Sequence, residues 1–311
     1  MTRVFIDGHA GTTGLRIYER LSERKDIELM TLSEERRKDV SYRKEALNQA
    51  DVAFLCLPDA AAQEAVGLVE NPDTVIIDTS TAHRTHPDWV YGLPELKGQR
   101  EKIQSSKRIA NPGCHATGFI ALAAPLVQAG ILDRSALLTC LSLTGYSGGG
   151  KNMIAEYYHE PRNPQLDAPR MYGLTQQHKH LKEMAAVSGL DSQPAFCPVV
   201  ADFYSGMEVT IPLFKQMING TKEDVCNLYQ SIYHSPIIHF DENADESGFM
   251  TAAAFAHRDD LQITVTGNDD RFLLIARFDN LGKGASGAAI QNMNIVLGID
   301  ETIGLEFGGN P

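Results

Sequence analysis

Cys114 stands in the run Asn111-Pro112-Gly113-Cys114-His115-Ala116-Thr117-Gly118, after a Pro-Gly turn and at the head of a segment with helical spacing. The thiolate is the nucleophilic form of cysteine and the positive end of a helix favours it, so this thiol is placed to attack a carbonyl carbon. Cys56, Cys140, Cys197 and Cys226 sit in apolar or helical surroundings and read as small buried hydrophobes. A covalent cycle on sulfur also needs a group that moves protons, and His178-Lys179-His180 supplies two imidazoles. If they lie on a helix, two positions turn by about 200°, so at most one of them faces Cys114. His-x-His spacing also suits a metal pair on a strand, but no third ligand accompanies it at recognisable spacing, and no metal is expected. The run Tyr146-Ser147-Gly148-Gly149-Gly150-Lys151 offers successive backbone amides, a hydroxyl and an ammonium. That set suits an oxyanion or a leaving phosphate, and it equally describes a plain loop.

A second constellation opens the chain. The apolar run Val4 to Ile6 leads into Gly8, Gly11 and Gly14, and the turn passes through Thr12 and Thr13 into a helical segment, Leu15 to Leu21. Glycines in a strand-turn-helix context let backbone approach a pyrophosphate held at the helix N-terminus, so Gly8, Gly11, Thr12, Thr13 and Gly14 are expected to bind a dinucleotide. NAD binders usually carry an acidic residue at the end of the second strand. Here that strand ends Met30-Thr31-Leu32-Ser33, with Arg36, Arg37 and Lys38 following. Ser33, Arg36 and Arg37 therefore read as a 2′-phosphate site selecting NADP(H). The competing reading of Glu34 to Lys38 is an ordinary solvated charge run.

These residues need elements to hold them. Up to about residue 110, short apolar runs (Val4 to Ile6, Ile27 to Thr31, Val52 to Leu57, Val75 to Asp78) alternate with stretches of helical length, the pattern of a doubly wound parallel sheet. Beyond Cys114, helical spacing over Ala116 to Gln128 gives way to strand-like runs at Leu137 to Leu143, Met207 to Leu213, Leu261 to Thr266 and Phe272 to Phe278. They predict an α+β domain with a largely antiparallel sheet, and a final helix over Ala285 to Leu297 that packs back on the first domain. A length of 311 residues fits two domains. The hydrophobic fraction of 43% is that of a soluble globular protein. No apolar run approaches a membrane span and no basic leader precedes Val4, so a cytoplasmic protein without a membrane partner is expected. Five cysteines without close pairing give no disulfide framework. The formal net charge of −12 opposes binding to a nucleic-acid backbone, although a local cation cluster can still hold a small anion.

Taken in order, the motifs resemble those of N-acetyl-γ-glutamyl-phosphate reductases, in the shorter of the family's two forms, over most of the chain. They are the turn Gly8 to Gly14, Asp78-Thr79-Ser80-Thr81-Ala82-His83-Arg84, Tyr91-Gly92-Leu93-Pro94-Glu95-Leu96, the Cys114 run, Gly145 to Lys151, His178 to His180, and Gly282-Lys283-Gly284-Ala285-Ser286-Gly287. The chain departs from the longer form in its length and in Gly149-Gly150-Lys151, where that form carries Ala-Gly-Arg.

The resemblance implies an α/β fold like glyceraldehyde-3-phosphate dehydrogenase: a Rossmann-type NADP-binding domain of residues 1–113 with 285–311, and an α+β catalytic and oligomerisation domain of residues 114–284. It implies NADPH-dependent reduction of N-acetyl-L-glutamyl 5-phosphate through a Cys114 thioester, in arginine biosynthesis, by a homodimer or homotetramer. It favours His178 over His180 as the acid-base. Arg84, Asn111, Ser147 and Gly148 are implied substrate and phosphate contacts, and Asn292 a contact of the nicotinamide carboxamide. Other readings stay open at this point: reduction of aspartyl or aminoadipyl phosphate, an NADP-binding redox sensor switched at Cys114, and a cysteine hydrolase that uses no nucleotide.

Overall fold

β1 (Thr2–Asp7) buries Val4, Phe5 and Ile6, and the glycine turn after it returns the chain as α1 (Thr12–Ser22). The pattern repeats through β2 (Ile27–Met30), α2 (Val40–Gln49), β3 (Val52–Leu55), α3 (Asp59–Gly67) and β4 (Val75–Asp78), then through β5 (Val90–Tyr91), α4 (Gln99–Ser105) and β6 (Arg108–Ala110). The six strands pair in parallel in the order β2-β1-β3-β4-β6-β5. Their side chains feed two cores by turns. Val4, Ile6 and Phe54 pack with Ile17 of α1 and with the chain's last helix, whereas Phe5, Ala53 and Leu55 meet Leu47 of α2 and Ala62 of α3. A strand covered on both faces has no polar side, which is why these strands read as continuous apolar runs.

The second body begins at the thiol. In this computed structural model, which describes residues 1–308, α5 (Cys114–Gln128) starts on Cys114 itself and is buried almost all round. Pro125 lies inside it and lacks the N–H that would bond the Ala121 carbonyl; the Tyr233 hydroxyl donates to that carbonyl at 2.6 Å instead. There follow β7 (Thr139–Gly145), α6 (Gly150–Tyr158), β8 (Arg170–Met171), α7 (Leu181–Ser188), β9 (Ala195–Ala201), β10 (Met207–Phe214), α8 (Lys222–Ile232), β11 (Ile238–Phe240), β12 (Leu261–Gly267) and β13 (Arg271–Phe278). The sheet order is β11-β12-β13-β10-β7-β9-β8, antiparallel except for β11 with β12 and β7 with β9. One face packs on α5. The other leaves Leu141 and Leu273 exposed and Leu143 and Val199 half-buried.

α9 (Gly287–Val296) follows a π-helical turn and joins the first body, with Ile290 and Met293 in its core. Contacts divide the chain into Met1–Gly113 with Ala285–Leu305, and Cys114–Gly284 with the described residues from Glu306 on. The expected boundary assigned 285–311 whole to the first body. Glu306 instead groups with the second, because its carbonyl accepts from the Asp259 amide at 2.7 Å and its own amide donates to the Asp259 carboxylate at 2.8 Å. Residues 309–311 of that boundary lie outside the described residues. Among the described residues no helix is long and apolar enough to cross a membrane.

Candidate active site

At the nucleotide turn, Gly8 has φ +90°, and a Cβ there would stand 2.3 Å from the Cys56 carbonyl oxygen. A Cβ on Gly14 would stand 2.5 Å from the Gly8 carbonyl oxygen, so close backbone approach demands both glycines. The Gly11 amide closes the turn on the Gly8 carbonyl at 3.0 Å, and no side chain caps α1. The Thr12, Thr13 and Gly14 amides precede the Leu15 N–H bond to Gly11 at 2.8 Å, so they sit among the donors a helix start presents to an anion. A cleft of about 190 Å³ beside the turn is walled by Gly8, His9, Ala10, Leu32, Arg37 and Lys38.

The cations after β2 do not act alike. The Ser33 carbonyl accepts from the Arg36 and Arg37 amides, a turn that returns Arg37 and Lys38 to the cleft. Arg36, expected there too, is not among the cleft walls; its guanidinium lies 4.7 Å from the Tyr42 ring centroid. Arg37 is salt-bridged to the exposed Glu34 at 3.1 Å. Asn292 is fully buried on α9 and donates to Gly92 O at 3.0 Å and to Asn111 Oδ1 at 3.2 Å. Its own Oδ1 is buried and has no hydrogen-bond partner among the described residues, so it can still accept from a donor such as an amide. The Asn111 side chain donates to the Ala285 carbonyl at 2.9 Å, and Arg84 donates to the Asn111 and Thr79 carbonyls, each at 2.9 Å. These bonds fix the backbone three residues ahead of Cys114, a holding duty that the substrate-contact expectation did not include.

At the thiol, α5 carries no acidic side chain in its first turn, so nothing there opposes an anion favoured by the helix dipole. A Cβ on Gly284 would lie 3.0 Å from Cys114 Cβ, and glycine keeps that flank clear. Behind the thiol, His115 faces the sheet: its Nδ1 is 2.7 Å from Ser142 Oγ on β7 and its Nε2 is 2.6 Å from the Tyr172 hydroxyl. Burial, and then the neighbouring His178, pushes His115 down to about 3, so it is neutral at ordinary pH. Burial raises the Tyr172 phenol, and Cys114 is close enough to raise it further. Burial also raises the Cys56, Cys140 and Cys226 thiols, which keeps them poor nucleophiles.

His178 and His180 correct the helical expectation. α7 starts only at Leu181, so both histidines lie in the turn before it, and both rings pack on His115, with centroids at 5.7 and 5.6 Å. The His178 Nδ1 accepts from the His180 amide at 3.2 Å, which puts the proton of the neutral ring on Nε2. His178 is half-buried and His180 is buried. Three histidines meet here, yet no group of His, Cys, Asp or Glu among the described residues is arranged to hold a metal ion.

The loop after β7 offers less than its sequence promised. The Tyr146 and Ser147 amides donate to the Phe203 and Tyr204 carbonyls at 2.9 and 3.0 Å. Ser147 Oγ accepts from Asn280 at 2.9 Å, so its hydroxyl proton rather than its amide remains to donate; Gly148 is exposed. His115 and Tyr172 were missed by sequence reasoning. His115 adjoins Cys114 and was legible as a neighbour, whereas nothing local marked Tyr172 or Ser142.

Residues 114–280 match the family described as "Semialdehyde dehydrogenase, dimerisation domain", and residues 3–106 match "Semialdehyde dehydrogenase, NAD binding domain". A Nostoc protein named N-acetyl-gamma-glutamyl-phosphate reductase 2 is 46% identical, covering 97% of this chain and 99% of its own. A Pseudomonas putida protein of the same name is 43% identical over 95% and 96%. The chain belongs to the N-acetyl-γ-glutamyl-phosphate reductase family. The members of this family are oxidoreductases with the semialdehyde dehydrogenase fold. That fold is seen in aspartate semialdehyde dehydrogenase from Francisella tularensis, with a TM-score of 0.71 at 14% identity over 96% of this chain and 100% of that one. The Vibrio cholerae aspartate semialdehyde dehydrogenase II gives 0.69 at 16% identity over 96% and 98%.

Proposed function

We propose that this protein is a cytoplasmic enzyme of arginine biosynthesis that reduces N-acetyl-L-glutamyl 5-phosphate to N-acetyl-L-glutamate 5-semialdehyde and phosphate with NADPH, through a thioester on Cys114. The observation that carries the reading is Cys114 as the first residue of α5, with Tyr172 in electrostatic reach and His178 and His180 grouped on the adjoining His115. The names of relatives at 43–46% identity support the substrate. NADP is favoured by the cationic cleft walls Arg37 and Lys38, while the one acidic wall residue, Asp7, is paired with Arg43 at 3.0 Å. A solved relative in fold, aspartate semialdehyde dehydrogenase from Candida albicans, is described with NADP. Asn292 fits the same cofactor, since its buried Oδ1 is an acceptor awaiting a carboxamide N–H. All five cysteines are free, which suits a reducing compartment.

The Cys114 thiolate attacks the acyl-phosphate carbonyl carbon; the C–S bond forms, the oxyanion collapses, and the C–O bond to phosphate breaks. Ser147, through its hydroxyl proton, and Gly148 receive the leaving phosphate. When bound, NADPH supplies a hydride. The thioester carbon that takes it up becomes a thiohemiacetal alkoxide, and His178 shares its Nε2 proton with that oxygen and takes it back as the C–S bond breaks. The aldehyde leaves and the thiolate returns. We assign the role to His178 because its Nδ1 is already satisfied by the His180 amide and its ring is the more accessible of the two. The protein works as a homodimer or homotetramer, with the open apolar face of the second sheet as the docking surface between copies. Run in reverse, the reaction gives the test: N-acetylglutamate semialdehyde and NADP⁺ should yield NADPH only when phosphate is present. NADPH formation independent of phosphate, or none at all, refutes the proposal.

A further inference from the structure

We infer that His115 is a positioning residue whose Nε2–H donates to the Tyr172 hydroxyl oxygen, leaving the Tyr172 O–H to donate a hydrogen bond to the oxyanion formed on the Cys114 adduct. The inference rests on the reading of Cys114 as nucleophile. It follows from counting donors along one chain of three side chains. Ser142 is fully buried on β7, and among the described residues its hydroxyl has His115 Nδ1 as hydrogen-bond partner, at 2.7 Å. A hydroxyl carries one proton, and leaving it without an acceptor in the interior is costly, so Ser142 donates and Nδ1 accepts. A neutral imidazole holds one proton, which must then sit on Nε2, and His115 is held neutral by burial and by His178. At 2.6 Å that Nε2–H meets the Tyr172 oxygen as an acceptor.

Two consequences set the role of Tyr172. Its oxygen is fixed by His115, while its proton is not spent on His115, and Cys114 is near enough to the phenol to act on it electrostatically. Burial and the thiolate both hold the phenol protonated, so it gives a hydrogen bond and keeps its proton. Such a donor is most valuable where charge develops on a substrate oxygen, at the tetrahedral stage of acyl transfer and again at the thiohemiacetal. The opposite polarity, with Tyr172 donating to Nε2, would strand the Ser142 proton and waste the donor. His178 and His180 pack edge-on and tilted against the same ring, which holds the His115 plane in line with both partners.

Two measurements decide it. ¹⁵N NMR of histidine-labelled protein, with His115 assigned by comparison with His115→Gln, should show His115 protonated on Nε2 and bare on Nδ1. In kinetics, Tyr172→Phe and His115→Phe should each lower kcat by about 10², as for loss of one oxyanion donor, with the NADPH KM unchanged. The double variant should fall no further, since His115 acts through Tyr172. His115→Gln restores a donor to Tyr172 and should recover most of the activity. A proton on Nδ1 overturns the inference even where a variant misfolds. So does parental kcat in Tyr172→Phe, or losses that multiply in the double variant. If the parent forms no acyl adduct on Cys114, the nucleophile reading fails and this one with it; an adduct with normal turnover in Tyr172→Phe removes this one alone.

Discussion

A thiol at a helix start, an imidazole whose Nδ1 accepts from a backbone amide and a pair of cations at a cleft divide the chemistry among separate residues, and each can be removed by itself. His178→Asn keeps an acceptor for the His180 amide but deletes Nε2, so kcat should fall by about 10² while the backbone turn survives. His180→Asn should cost far less. Equal and mild losses in both variants, measured as kcat in the reductive direction, would contradict the assignment. At the cleft, Arg37→Ala with Lys38→Ala should raise the NADPH KM by about tenfold or more, the scale of a charge-assisted hydrogen bond, and leave kcat unchanged. Arg36→Ala should do little, because its guanidinium lies over Tyr42. A KM for NADPH raised by the Arg36 variant as much as by the double variant would reverse that division.

At the level of elements, what was legible in the sequence was what is encoded locally. Gly8 and Gly14 announce a turn whose atoms have no room for a side chain, and Cys114 follows Pro112-Gly113 into α5. β9 was not expected, because Pro198 interrupts its apolar run; the strand tolerates it since β8 pairs with only Val199 and Val200, leaving Pro198 nearly at an edge. His178 and His180 stand at the head of a helical segment, and they sit in the turn before it because the apolar stripe of α7 begins at Leu181. The Ser142-His115-Tyr172 chain joins a strand, a helix and a loop, and no local pattern encodes such a meeting. Its energetic signature is a pH dependence. The folded pKa of His115 lies near 3 against 6.5 for the free group, so between these values the unfolded chain binds a proton that the folded chain refuses, and stability falls as pH drops through that window. From pH 6.5 to 5 the parent should lose about 2 kcal/mol more than His115→Gln, read from urea midpoints. Parallel losses in the two proteins would show that His115 is not held neutral.

For the whole molecule, the two bodies carry different duties: the parallel sheet presents the glycine turn and the cationic cleft, and the mixed sheet presents the thiol on one face and Leu141, Leu143, Val199 and Leu273 on the other. Replacing Leu141 and Leu273 with Asp should lower the molecular mass seen by analytical ultracentrifugation, and an unchanged mass would place the contact between copies elsewhere. The account stands on one bond, between the substrate's acyl carbon and the Cys114 sulfur. Mass spectrometry of the parent enzyme mixed with N-acetylglutamyl phosphate, without NADPH, tests it directly. The account predicts a stoichiometric N-acetylglutamyl adduct on the Cys114 peptide that disappears on adding NADPH, with none in Cys114→Ser, which still binds NADPH but has no turnover. An adduct-free Cys114, or a Cys114→Ser variant with full activity, would contradict it.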